Sequence, residues 1–326
     1  MTTVPVPVPP GGARERGTRE RGTQERAGRE RSERERGAGA DFPGFLSLEQ
    51  LDRDLFRGWC HDGIPSRAFG GQVAAQALTA AGRTVPGDRA VHSLHGYFLR
   101  AGDSSRPLVY TVERIRDGAS YTSRRVSALQ GGEIVFTLSA SFKRPERTDD
   151  RQQAMPPTPG PDSLPDLYET WARNNPQDFA QAEFRRVLDM RYVPGPPEPN
   201  APGLTEQKLW MRAAQRLPDD PMLHACALAY ASDLFLAPST VLSEQLPRML
   251  REEADEPSSV FLTSLDHGIW YHRPFRADEW MLFAQRSPTA VDGRGLAFAD
   301  VWSLDGRLIA HVVQETVARP ARTRRR

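Results

Sequence analysis

Three polar side chains stand at positions that the rest of this 326-residue chain patterns as apolar. Asp233 falls in a helical stripe otherwise made of Cys226, Ala229, Tyr230, Leu236 and Ala237. A carboxylate aimed at a core must be paired, hydrogen-bonded or protonated. Gln314 follows Leu308, Ala310 and Val312 along one face of a strand-like run. An amide left unpaired there would cost about 1–3 kcal/mol, so it needs a partner. Ser264 shares a strand face with Val260 and Leu262. A carboxylate can accept a proton, and a hydroxyl and an amide can orient a reactant through hydrogen bonds. Each residue also has a plain structural reading. Asp233 could rotate into solvent, Gln314 could be a satisfied core glutamine, and a serine on a strand needs no special account.

What joins them is a pattern used twice. His92-Ser93-Leu94-His95-Gly96-Tyr97-Phe98 is echoed by Ser264-Leu265-Asp266-His267-Gly268-Ile269-Trp270. Each copy follows a helix-like apolar stretch and precedes strand-like segments that close on a Gly turn and a final strand. Aligning the copies sets Ser264 opposite His92 and Gln314 opposite Ala140, so the copies differ at the two strand positions.

In the first copy, Phe69 to Val85 reads as a helix, with Val73, Ala77, Ala80 and Ala81 at helical spacing behind Gly70-Gly71. Its small side chains suit close packing on a sheet. Strands are expected at His92–Leu99, Leu108–Arg116, Ser120–Gln130 and Glu133–Phe142. The second copy is expected to run Phe184–Val193, Lys208–Ala213, a helix over Leu223–Leu236, then Ser259–Leu265, Ile269–Arg273, Glu279–Ser287, Ala297–Ser303 and Arg307–Val317. One long helix wrapped by an antiparallel sheet, made twice, is an α+β architecture. The division expected is a first unit at 41–145, a Pro-rich linker at 146–183 and a second unit at 184–319 that carries the three polar residues. Residues 1–40 include an Arg/Glu-rich low-complexity stretch without large apolar side chains, read as disordered, with an electrostatic arm as the alternative. Residues 320–326 form a basic tail.

Lys plus Arg total 43 and Asp plus Glu 42, a balance that gives no signal for nucleic acid or membrane binding. No apolar run is long enough to span a bilayer, so no membrane insertion is expected. Cys60 and Cys226 are too few for a disulfide framework, and a cytoplasmic protein is expected. His92 and His95 are three apart on a strand and point to opposite faces, which is not metal spacing. His92 reads as structural or indirect in role. No cofactor is called for. Neither a Gly-x-Ser-x-Gly elbow nor a Gly-x-Gly-x-x-Gly fingerprint occurs.

Several motifs in order resemble one family. Arg67-Ala68-Phe69-Gly70-Gly71-Gln72, His92-Ser93-Leu94-His95, Tyr97-Phe98-Leu99-Arg100 and Arg116-Asp117-Gly118 are similar to the N-terminal half of the type II acyl-CoA thioesterases. Tyr230-Ala231-Ser232-Asp233, Ser264-Leu265-Asp266-His267, Trp270-Tyr271-His272-Arg273-Pro274 and Val313-Gln314-Glu315 resemble the C-terminal half. The resemblance implies a double hot-dog fold and hydrolysis of fatty acyl-CoA to free acid and CoA. Its catalytic set of Asp, Ser or Thr, and Gln maps onto Asp233, Ser264 and Gln314. It implies that Asp233 directs water onto the thioester while Ser264 and Gln314 fix the line of attack. It also implies acyl-CoA as the small-molecule partner, and a homo-oligomer. The chain departs from the family in its N-terminal extension, its long Pro-rich connection and an insertion at Ser243 to Ser258. Arg100, Arg124, Arg125 and Arg273 are candidates for CoA phosphates, with solvated or structural roles as the alternative. The rival readings are a hot-dog module that binds acyl-CoA without hydrolysis, and a hot-dog enoyl-CoA hydratase. The hydratase would need a His five residues after the Asp, where this chain has Pro238.

Overall fold

The structure, a computed structural model, describes residues 41–61, 67–181, 186–195, 204–241 and 260–320. The Arg/Glu-rich extension, the Ser243 to Ser258 insertion and the tail beyond Pro320 lie outside the described residues. The first unit holds α1 (Phe42–Phe45), β1 (Leu48–Asp52), β2 (Leu55–Gly58), α2 (Gly70–Gly82), β3 (Ala90–Phe98), β4 (Leu108–Asp117), β5 (Tyr121–Gln130) and β6 (Glu133–Lys143). Two short helices follow, α3 (Leu167–Asn174) and α4 (Pro176–Gln181). The second unit holds β7 (Leu188–Val193), β8 (Thr205–Ala213), α5 (Pro221–Ser239) and β9 (Val260–Ser264). It closes with β10 (Asp266–Tyr271), β11 (Met281–Val291), β12 (Arg294–Ser303) and β13 (Leu308–Pro320).

The expected α+β architecture is present, and the two sheets are hydrogen-bonded into one. Antiparallel pairing of β3 with β10, from Asp266 opposite Tyr97 to Trp270 opposite Ser93, forms the seam. Outward from it the order is β6, β5, β4, β2, β1 on one side and β13, β12, β11, β8, β7 on the other. Strand β9 also pairs with β13, beside β10. Residues on alternate positions, among them Phe136 and Leu138 on β6 and Ala310 and Val312 on β13, point into a core shared with the helices.

Both long helices are buried nearly all round, because each is covered by sheet on one side and by the other helix on the other. Their small residues permit this. A Cβ on Gly71 would lie 2.6 Å from the Tyr230 main-chain oxygen, and Thr79 Oγ1 donates to Cys226 Sγ at 3.4 Å. Gly82 lies against Met222. Positions rising along α2 therefore meet positions falling along α5, and the two helices are antiparallel.

Three features differ from the sequence reading. The β1–β2 hairpin was not expected, because its turn uses Asp54 at φ 60° where the usual signal is glycine. Helix α5 extends past Leu236 through Pro238, which sits in its last turn. The Pro-rich stretch also carries α3 and α4 and lies on the second unit. Met155 and Leu164 cover Trp210, Leu282 and Trp302 on the sheet's outer face, and Trp210 Nε1 donates to the Pro159 carbonyl at 2.9 Å. Asp166, which caps α3, accepts from Arg186 and Arg191 at 2.6 Å each.

Because the Tyr230 carbonyl is main chain and cannot swing aside, Gly71→Ala should overpack the helix pair. Denaturant unfolding should show a loss of about 1–3 kcal/mol.

Candidate active site

Asp233, Ser264 and Gln314 meet. Asp233 projects from the C-terminal half of α5, Gln314 from the inner face of β13, and Ser264 from the last position of β9. The carboxylate residue is 9 % exposed and the glutamine 0 %. Gln314 Nε2 donates to Asp233 Oδ1 at 2.6 Å and to Ser264 Oγ at 2.9 Å. An amide nitrogen has two hydrogens, so both are used, and Ser264 keeps its own hydroxyl hydrogen to donate elsewhere. Gln314 Oε1 is buried without a partner among the described residues.

The second carboxylate oxygen of Asp233 faces the first unit. A Cβ placed on Gly70 would lie 2.9 Å from Asp233 Oδ2 and 3.0 Å from the Phe98 ring. Gly70 opens α2, whose N-terminus has no side-chain cap. Gln72 and Val73 N–H return to the Phe69 carbonyl, so the amides of Gly70 and Gly71 stand ahead of the helical bonding. The positive end of α2 thus faces the carboxylate across the boundary between the units. A cavity of about 530 Å³ opens there. Gly70, Val73, Phe98 and Phe136 of the first unit line it, with Asp233, Ala237, Leu262 and Ser264 of the second. Phe98 and Phe136 pack with ring centroids 4.8 Å apart, and Gly96 leaves the room that the Phe136 ring occupies.

Two networks hold these groups in place, and sequence reasoning assigned a role to neither. Leu265 breaks the strand between β9 and β10. Its N–H donates to the Glu315 carbonyl at 2.8 Å, and its carbonyl accepts from Phe98 N–H of the first unit at 2.9 Å. Asp266 Oδ1 accepts from Glu315 N–H at 2.7 Å while Oδ2 accepts from His95 Nε2 at 2.9 Å. The residue after Gln314 is therefore tied to the residues after Ser264, and both are tied to the first unit. Beside Asp233, Ser232 Oγ donates to the Ala229 carbonyl at 3.1 Å and accepts from His267 Nε2 at 2.8 Å. That arrangement leaves His267 Nδ1 as a buried acceptor without a partner among the described residues. Burial pushes the His267 pKa below its ordinary value, so the ring is neutral. The signal for these residues was the unbroken Ser-Leu-Asp-His and Ala-Ser-Asp runs, but nothing in the sequence told which neighbour faced the site.

His92 does not join them. Its Nε2 bonds with Ser141 Oγ at 2.8 Å, its ring packs edge-on to Tyr121, and it lines no part of the cavity.

A helix on a curled antiparallel sheet, made twice and joined edge to edge, is the double hot-dog arrangement. A hot-dog-fold protein from Alicyclobacillus acidocaldarius superposes with a TM-score of 0.65, covering 86 % of this chain and 98 % of that one at 20 % identity, a likeness of fold. The family model described as acyl-CoA thioesterase N-terminal domain matches residues 58–143, and the acyl-CoA thioesterase C-terminal domain matches 152–318. The chain is 38 % identical to acyl-coenzyme A thioesterase 8 of Homo sapiens, over 84 % of this chain and 87 % of the relative. It is 35 % identical to acyl-CoA thioesterase 2 of Haemophilus influenzae, over 84 % and 95 %. Acyl-CoA thioesterase II TesB2 from Mycobacterium marinum superposes with a TM-score of 0.71 at 41 % identity, over 86 % and 98 %. The chain belongs to the acyl-CoA thioesterase family.

Asp266→Ala would leave the Glu315 amide without its acceptor, whereas Asp266→Asn keeps a side-chain oxygen there. Amide hydrogen exchange at Glu315 should speed up about tenfold or more in the alanine variant and less in the asparagine variant.

Proposed function

We propose that the chain hydrolyses fatty acyl-CoA to free acid and CoA, with Asp233, Ser264 and Gln314 as the catalytic residues. The observation that carries this is the Gln314 amide, which bridges Asp233 and Ser264 at the wall of the cavity between the units. One carboxylate oxygen is thereby fixed and the other, with the free Ser264 hydrogen, is left to hold a water.

As the water oxygen bonds to the thioester carbonyl carbon, Asp233 Oδ2 takes one of its protons. The carbonyl electron pair moves to oxygen, against the Gly70 and Gly71 amides at the uncapped start of α2. Collapse restores the carbonyl and breaks the C–S bond. The departing thiolate then takes the proton from Asp233, which returns as carboxylate. A thiol ionises near pH 8.5, so it leaves without metal assistance.

The same reading extends to the remaining features. The symmetrical strand order supports an internal repeat whose two units span 41–145 and 184–319, joined by the 146–183 linker. Tyr97 and Trp270, both exposed on the seam strands, support a homo-oligomer. Cys60 and Cys226 are free and buried, with burial pushing both thiols up to about 12, which suits a reducing cytoplasm, and the proposed hydrolysis itself would give the protein a role in fatty acid metabolism.

Thiol release from acyl-CoAs of graded length tests the reading. Asp233→Asn should lower kcat by about 10²–10⁴-fold. Gln314→Ala and Gly70→Ala should each cost about 10²-fold by misplacing the carboxylate and water, with circular dichroism unchanged. Near-wild-type turnover in Asp233→Asn and Gln314→Ala would sink the assignment. Tight acyl-CoA binding without thiol release by the unaltered protein would support the non-catalytic module instead.

A further inference from the structure

We infer that Arg67 and Arg100 form the subsite for the phosphate-bearing end of CoA, a reading that rests on the proposed thioesterase activity. The four arginines that the sequence offered for CoA phosphates separate cleanly in the structure. Arg124 is buried and committed to Thr84 and Asp117, where it closes the C-terminal end of α2. Arg125 lies on the sheet face away from α2 and pairs with Glu113 at 3.6 Å. Arg273 is held by Asp150 and the Leu308 carbonyl. Arg100 alone of the four lines the cavity, and Arg67 lines it too.

Among the described residues that line the cavity, these two are the only cationic side chains and Asp233 is the only anion. They come from segments that run side by side. The main chains of Arg67 and Asp103 form an antiparallel β-bridge, and Ala68 N–H donates to the Gly102 carbonyl at 2.9 Å. Arg67 stands three positions before Gly70, so its Cα lies within about 11 Å of the start of α2. Two arginines and an uncapped helix N-terminus thus contribute positive charge to the cavity's lining. The same lining carries apolar side chains, among them Val73, Ala237 and Leu262. A fatty acyl-CoA has the matching polarity, with an uncharged chain on one side of the thioester and a phosphate-rich nucleotide beyond a neutral arm on the other.

Arg100 is also free to exchange partners. Its Nη1 donates to the Ile134 carbonyl at 2.9 Å, while its Nη2 meets Glu133 at 3.0 Å in a pair whose side chains are 54 % and 63 % exposed. Such a pair contributes little and can yield to a phosphate, which guanidinium grips through two parallel N–H groups. The carbonyl bond would keep the side chain aimed during that exchange.

The test compares two thioesters of one fatty acid, acyl-CoA and acyl-pantetheine, the second lacking every phosphate. The readout is the ratio of kcat/KM for acyl-CoA to that for acyl-pantetheine. Arg67→Gln and Arg100→Gln should each lower the ratio about tenfold, through KM for acyl-CoA. They should also flatten its dependence on ionic strength. Arg125→Gln, which removes an equally exposed charge from the far face, serves as the control. A ratio within about twofold of wild type in both variants, or an equal fall in the control, would overturn the subsite. Failure of the unaltered protein to release thiol from either thioester would instead overturn the activity on which it rests.

Discussion

The close approach of α2 to α5 is the constraint on which the rest of the structure depends. Two antiparallel helices can lie within main-chain contact only where side chains are absent. Gly71 against the Tyr230 carbonyl and Gly70 against Asp233 are those places. The contact does more than pack a core. It brings the uncapped start of one helix to a carboxylate on the other, in a cavity that neither unit could line alone. The one-sheet architecture follows from the same demand. If β3 and β10 were not paired, the helices they carry would not be held in this register, and the Phe98 amide could not reach the Leu265 carbonyl.

Polar groups then do what apolar packing cannot. Hydrophobic burial is non-directional, so it brings β13 and α5 together without choosing where Gln314 points. The choice is made by hydrogen bonds: Asp266 and Leu265 hold Glu315, and the Gln314 amide satisfies two acceptors at once. The buried, neutral His267 and Ser232 support the helix on the other side of Asp233. Gln314 Oε1 and His267 Nδ1 have no partner among the described residues, which is costly in a core.

Much of this was legible in the sequence, for reasons that differ from element to element. The long helices and the later strands announce themselves by periodicity and by turns such as Gly131-Gly132 and Gly306, which adopt positive φ. Asp233, Ser264 and Gln314 were found because polarity broke an apolar face, and the structure brings those three together. The β1–β2 hairpin was hidden because an aspartate fills its left-handed turn. Gly70 was visible only as a helix start, since its contact with Asp233 joins positions far apart in the chain. Asp266 and His95 were hidden for the same reason: a bond across the seam leaves no local pattern.

The helix pair also explains why a nearly symmetrical fold carries one such site. Exchange the roles of the helices, and the start of α5 should be an open donor end with a carboxylate facing it from α2. Instead Asp220 caps α5 by accepting from Met222 N–H at 2.9 Å, so that end is closed. Where α5 sets Asp233 against Gly70, α2 sets Gly82 against Met222, and the methionine side chain fills the space. The glutamine's place on β6 is taken by buried Ala140. Carboxylate, amide and open helix end are lost together at the far end of the pair, and packing replaces them.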